Sequence, residues 1–373
     1  MATAYTPGLL VSEHTTIRKV RRLPIQGEVL AEVGQAVAPQ DVVARALLPG
    51  KPHTLNVANK LALLPEDVPS HLLVKEGEPV EEGQVLAATK GFFGLGKKEL
   101  RSPVSGTLEM VSRVTGQVTI REKPVPVELT AYLRGKVVEV LPKEGVVVET
   151  SGAFIQGIFG VGGERVGRLQ VAVSSPEEPL EEGHIGARHQ GAVVVGGSLV
   201  TLGALRKAAE VGAQAVVAGS IWDTDLAEFI GYEIGVAITG QEDIPLTLII
   251  TEGFGPMAMA QRTFRLLQSL EGREAAVNGA TQVRAGVLRP EVVVPREGEG
   301  WAAAGELPTS LQVGSPVRLI REPYFGLLGV VTELPPDLKT IETEAKVRVA
   351  KVRLQNGEEV LVPRANMELL AGD

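Results

Sequence analysis

Apolar positions along this chain follow two rhythms. Up to about residue 180, and again from residue 311, they come in short alternating runs broken by Gly and Pro. Lys136-Val-Val-Glu-Val-Leu, Gly145-Val-Val-Val-Glu-Thr and Arg168-Leu-Gln-Val-Ala-Val belong to the first stretch. Pro316-Val-Arg-Leu-Ile, Gly329-Val-Val-Thr-Glu-Leu, residues 345–354 and Glu358-Glu-Val-Leu-Val-Pro belong to the second. Such runs predict strands, and Asn356-Gly357 predicts a tight hairpin turn.

Between residues 185 and 297 the pattern changes. Gly191-Ala-Val-Val-Val-Gly-Gly, Ala213-Gln-Ala-Val-Val-Ala-Gly-Ser and Pro245-Leu-Thr-Leu-Ile-Ile-Thr-Glu-Gly read as continuous apolar strands. Helical spacing lies between them. Ser198 can cap a helix running to Val211, and Asp223 or Thr224 a second one through Leu226, Phe229 and Ile230. Pro256 suits the start of a third, which carries Met257, Ala260, Phe264 and Leu267 on one face. Strand–helix alternation with continuous apolar strands predicts a mostly parallel, covered sheet. The expected fold class is a multidomain α+β chain: a β-rich region over 1–180, an α/β domain over 185–297, a linker over 298–310 and a small β-barrel over 311–373.

The first region carries an internal repeat. Gly34-Gln-Ala-Val matches Gly77-Glu-Pro-Val, and Val42-Val-Ala falls where Val85-Leu-Ala falls. A unit this short must pair with its twin. Val74-Lys-Glu-Gly-Glu-Pro-Val-Glu-Glu-Gly-Gln-Val-Leu-Ala, followed by Ser102-Pro-Val-Ser-Gly-Thr-Leu, resembles the barrel-sandwich hybrid of lipoyl and biotinyl domains. It is also similar to the N-terminal region of the C subunits of membrane electron-transport complexes. The resemblance covers roughly residues 20–122. Lipoyl and biotinyl domains modify one lysine between Asp and Ala or between two Met residues. Lys90, Lys97 and Lys98 have no such flanks, so no attached cofactor is expected. Residues 313–332 resemble the KOW motif, the first hairpin of an SH3-like barrel in NusG-type transcription factors and some ribosomal proteins.

Ligands of parallel α/β sheets bind beyond the carboxyl ends of the strands. Here those ends offer Gly197, Ser198, Gly219, Ser220, Thr251, Glu252 and Gly253, with Asn278 and Thr281 on a further loop. Small residues, hydroxyls and amides near helix starts suit a small anion such as a nucleotide or phosphate. The same residues also serve as ordinary turn and cap residues. Thr251-Glu-Gly is similar to the glutamate motif of Toprim domains. Their Asp-x-Asp follows that strand, however, whereas Asp223-Thr-Asp225 precedes it. No hydrolytic triad, HExxH or Walker spacing is present. No metal and no catalytic residue are expected.

Composition narrows the picture. The chain has 373 residues, no cysteine, 4% aromatic residues and a net charge of −8. Absence of cysteine removes disulfides, thiolate metal sites and cysteine nucleophiles. Few aromatics disfavour extensive base stacking, and the negative charge disfavours general phosphate binding. The abundance of Val, Glu, Arg and Pro suggests a heat-adapted source. No signal peptide or membrane span is read, so the expected compartment is the cytoplasm. The last 63 residues carry eight basic against nine acidic side chains.

The expected contact residues for partners are Phe92 and Phe93 in a glycine-rich loop, Tyr324 and Phe325 at a hairpin tip, and Lys346 and Arg348 on a strand. The expectation is a non-enzymatic scaffold or adaptor that docks protein partners, or a second copy, through its β modules. Binding of a small anion at the α/β loops, or of RNA as a transcription- or translation-associated factor, are the alternatives.

Overall fold

The computed structural model describes residues 9–89, 98–232, 244–281, 288–296, 311–319, 323–324, 327–340 and 346–369. Phe92, Phe93, Phe325, Lys90, Lys97 and the expected linker lie outside them. The protein is mainly β, with a few short helices.

Twelve strands form one large mixed sheet. Three consecutive parallel pairings make its centre, joining Glu164–Val171, Ala192–Val195, Ala215–Ile221 and Thr247–Phe254 in that order. Every residue of Ala192–Val195 and Ala215–Ile221 is buried, as strands covered on both faces require. They share a core with Ala204, Leu205 and Ala208 of helix Leu202–Glu210 and with Phe264, Leu266 and Leu267 of helix Gln261–Ser269.

The sheet is mixed rather than mostly parallel, and it crosses residue 180. Val11–Arg22, Gly135–Leu141, Gly145–Gln156, Glu274–Asn278 and Glu291–Pro295 all join it in antiparallel pairings. The three residues between Leu141 and Gly145 leave room only for a hairpin, which forces antiparallel neighbours. The sheet also returns on itself. Residues 152–156 pair with Glu291–Pro295, and after Gly157 the same chain pairs through Phe159–Val161 with Thr247–Phe254. Gly157 donates its N–H to Pro290 and Ile158 to Ile250, both at 2.8 Å, completing the handover.

The helix starts differ from those the sequence suggests, later for the first and third and one residue earlier for the second. Thr201, not Ser198, caps Leu202–Glu210, by accepting from the Ala204 N–H. Asp223 opens helix Asp223–Ile230 behind Trp222. Residues 256–260 are not helical, and the third helix begins at Gln261.

Residues 52–121 build two smaller sheets around Val57, Val68, Val80, Leu86, Leu108, Val118 and Ile120, while Glu28–Val29, Val42–Leu48 and Val125–Thr130 form a third on Leu23, Ala44 and Ala46, and Ala36–Val37 joins the large sheet. The repeat is structural. Gly34 donates its N–H to Val137, whose own N–H returns to Gln35. Gly77 and Glu78 do the same with Leu108. In both copies the fourth turn residue, Gln35 or Glu78, accepts from the backbone N–H three residues earlier. The glycines stand at φ +91° and +87°, where a side chain is strained. Gly314, at φ +94°, repeats the device in the C-terminal region, exchanging with Val331 through Ser315. One local solution thus sets strand register in both β regions.

Residues 311–369 form a six-stranded sheet whose core includes Val317, Leu319, Val331, Ala350, Val352, Val360 and Met367. Tyr324 is half-buried against this core rather than a free tip. Asn356 and Gly357 make the expected turn, with Gly357 at φ +86° donating to Leu354.

Candidate functional site

The parallel strands end where the sequence places them, but the space beyond is filled. A Cβ on Gly197 would meet the carbonyl oxygens of Ser175 and Glu178 at 2.3 and 2.4 Å. One on Gly219 would meet backbone atoms of Met259, Gly197 and Met257 within 2.8 Å. These glycines admit neighbouring chain. The hydroxyls follow suit. Ser198 Oγ donates to the Glu177 carbonyl at 2.7 Å. Ser220 Oγ donates to the Met257 carbonyl and accepts from its N–H, both at 3.1 Å. Asn278 Oδ1 accepts from Ala280, and Thr281 Oγ1 accepts from the Gly160 N–H at 2.9 Å. Gly253, at φ +148°, turns the chain into this packed segment.

Glu252 is the most constrained of the set. Its side chain is 3% exposed. Oε1 accepts from the Ala260 N–H at 2.9 Å and from the Thr251 hydroxyl at 3.3 Å. Oε2 accepts from Arg318 Nη2 at 3.2 Å. Arg318 lies on Pro316–Leu319 of the C-terminal sheet and its side chain is 9% exposed. A buried ion pair therefore links the end of a central strand to the C-terminal module. The acids do not converge. Asp223 accepts from Thr224 N–H, and Asp225 from the Leu202 N–H at the start of the neighbouring helix. Among the described residues, no group of three or more His, Asp or Glu is placed to hold a metal ion.

A second charged cluster, not anticipated from the sequence, joins the N-terminal region to the opposite side of the sheet. Glu164, Asn278, Glu291 and Gln156 stand in register across four neighbouring strands. Lys19 pairs with Glu291, whose side chain is 8% exposed. Arg21 grips Glu164 through both terminal nitrogens, at 2.5 and 2.7 Å, and donates to the Thr130 carbonyl. Its guanidinium lies 5.3 Å from the Tyr132 ring centre. The buried Tyr132 hydroxyl donates to Glu291 Oε1 at 3.3 Å, from a backbone at φ +67°. Burial first, then the Glu291 and Glu164 charges, push the Tyr132 phenol well above its ordinary range, so it stays a donor. Tyr132 N–H reaches the Pro39 carbonyl and Ala131 N–H that of Asp41, tying in the first repeat. The sequence signals were slight: Lys19 and Arg21 alternate on one strand face, and a lone acid, Glu291, opens Glu291-Val-Val-Val-Pro.

One open polar cleft of about 360 Å³ lies between Gln40 and the 164–171 strand. Its charged groups are engaged: Arg168 donates to the Gly272 carbonyl, and Glu274 is held by Arg134 at 2.9 Å.

His189 is fully buried behind the Ala192–Val195 strand, accepting from Gly186 N–H at 3.1 Å with the Arg188 side chain beside it. Burial, and then the Arg188 charge, lower its pKa. The unfolded chain therefore binds a proton that the folded chain resists. Stability should be complete above the ordinary histidine value near ~6.5 and fall as pH drops below it. Melting curves from pH 7.5 to 5 should show a loss that is smaller in His189→Gln; identical slopes would contradict this assignment.

Of the expected contact residues within the described chain, Lys346 and Arg348 are exposed on the C-terminal sheet. No helix among the described residues is long and apolar enough to cross a membrane. In comparisons with known proteins, no family matches this chain and no curated protein is similar to it.

Proposed function

We propose that this protein is a non-enzymatic scaffold that docks partner proteins through its two β modules, with the central sheet holding the modules in place. On this reading the N-terminal region, over roughly residues 20–122, is a barrel-sandwich hybrid, residues 311–373 are an SH3-like, KOW-type barrel, and the protein works in the cytoplasm. The observation that carries it is the fate of the strand-end polar groups. Ser198, Ser220, Thr251, Glu252 and Thr281, and the Asn278 amide oxygen, all hydrogen-bond inside the chain, which leaves a small ligand little to replace. The buried Glu252–Arg318 pair adds to it, because it ties the C-terminal module to the central sheet in one geometry.

Thermal melts with a panel of nucleotides and sugar phosphates test this. Saturating ligand at about 100 times its Kd would add about 2.7 kcal/mol to the folded state. The scaffold reading expects no shift, together with a discrete stoichiometric complex on gel filtration of the protein purified from its source. A clear upward shift with any of these anions would replace it with the ligand-binding reading. Nucleic acid that co-purifies and washes off with salt would replace it with the RNA reading.

A further inference from the structure

The outward face of the C-terminal sheet carries a regular pairing of cations with aliphatics. Val349 and Ala350 are consecutive on strand Lys346–Leu354 and both are buried. Two inward residues in a row shift the strand's phase, so Lys346 and Arg348 before them share a face with Lys351 and Arg353 after them. In register, Arg348 stands opposite Leu338, Lys351 opposite Leu361 and Arg353 opposite Val330. Those three aliphatic residues are 56%, 48% and 37% exposed. Lys351 is held by Glu359 at 2.5 Å. Lys346, Arg348 and Arg353 form no ion pair among the described residues, in a chain of net charge −8.

We propose that this face binds an acidic, aliphatic-rich segment of a partner protein, its carboxylates meeting Lys346, Arg348 and Arg353 and its side chains covering Leu338, Leu361 and Val330. This rests on the scaffold reading and names the chemistry of one partner. Charge complementarity sets the sign of the occupant. The exposed aliphatics favour protein over nucleic acid, because they give a phosphate backbone nothing. Glu333 and Glu359, opposite Lys351 and Arg353, would repel a continuous run of phosphates but tolerate spaced carboxylates.

Fluorescence anisotropy of the full chain with a short labelled peptide alternating Glu and Val tests it. Binding should weaken with salt and by about tenfold or more in Arg348→Glu/Arg353→Glu, a loss of about 1.4 kcal/mol or more. Glu333→Gln should tighten it, which guards against a charge-reversed variant that merely misfolds. A Gln-for-Glu or a Ser-for-Val peptide should bind more weakly. Equal binding by the double variant, equal binding by the Ser-for-Val peptide, or displacement of the peptide by oligouridylate at matching concentration would overturn the proposal. A native complex that survives in the double variant would sink this face and leave the scaffold reading standing.

Discussion

Replacing Glu252 with alanine should loosen the C-terminal module from the central sheet. The carboxylate is nearly inaccessible and receives Arg318, the Ala260 N–H and the Thr251 hydroxyl. Removing one partner of a buried pair costs about 3–5 kcal/mol, since the remaining charge keeps its desolvation penalty. The loss should be local as well as large. Amide exchange should accelerate in Pro316–Leu319 and Leu328–Glu333, while Ala192–Val195 and Ala215–Ile221 keep their protection, being buried throughout. Arg318→Leu should destabilise for the mirror-image reason. The double variant Glu252→Leu/Arg318→Leu should lose less than the sum of the single changes, because no unpaired charge remains. Additive losses would mean that the two side chains do not act as a pair.

The second large effect should come from Glu291→Ala. It leaves the buried Tyr132 hydroxyl and the three-quarters-buried Lys19 ammonium without their acceptor, beside a core that includes Phe154, Val293 and Ala276. A loss of about 3–5 kcal/mol is expected from the broken pair. Tyr132→Phe removes only the hydrogen bond to a charged acceptor, so about 1.5–3 kcal/mol should go. The two variants also differ in pH dependence. The unfolded phenol ionises near ~10, whereas the folded one resists ionisation. A folded pKa above the unfolded value means stability is full below that pH and falls as pH rises through it. Urea melts of the native protein should therefore decline faster on the alkaline side than those of Tyr132→Phe. Parallel curves would remove Tyr132 from the lock.

The central strands were legible because short apolar runs rich in Val and flanked by glycine, such as Ala192–Val195, favour buried strands over helix. The repeat was legible because Gly34 and Gly77 occupy a backbone region that other residues avoid. Sheet membership was not. Nothing local in Gly145-Val-Val-Val-Glu-Thr says that it pairs with Glu291–Pro295, and the handover at Gly157 depends on contacts about 90 and 130 residues away along the chain. Likewise, the sequence marks Gly197 and Gly219 as positions that need space, but not whether chain or ligand fills it. Glu252 stood out as an acid at a strand end, yet its partner lies 66 residues on, in another sheet. Long-range ion pairs leave no periodicity, which is why neither Glu252–Arg318 nor Lys19–Glu291 shows in the sequence pattern.

On the scaffold reading, the central sheet holds both β modules at a fixed separation. The chain has no cysteine, so spin labels can be placed cleanly at Val114→Cys in the N-terminal module and Leu361→Cys in the C-terminal one, positions 88% and 48% exposed. Pulsed electron–electron resonance should give one narrow distance distribution, which broadens when Glu252→Ala is added. A broad distribution in the otherwise native protein, or a narrow one indifferent to Glu252, would contradict the claim.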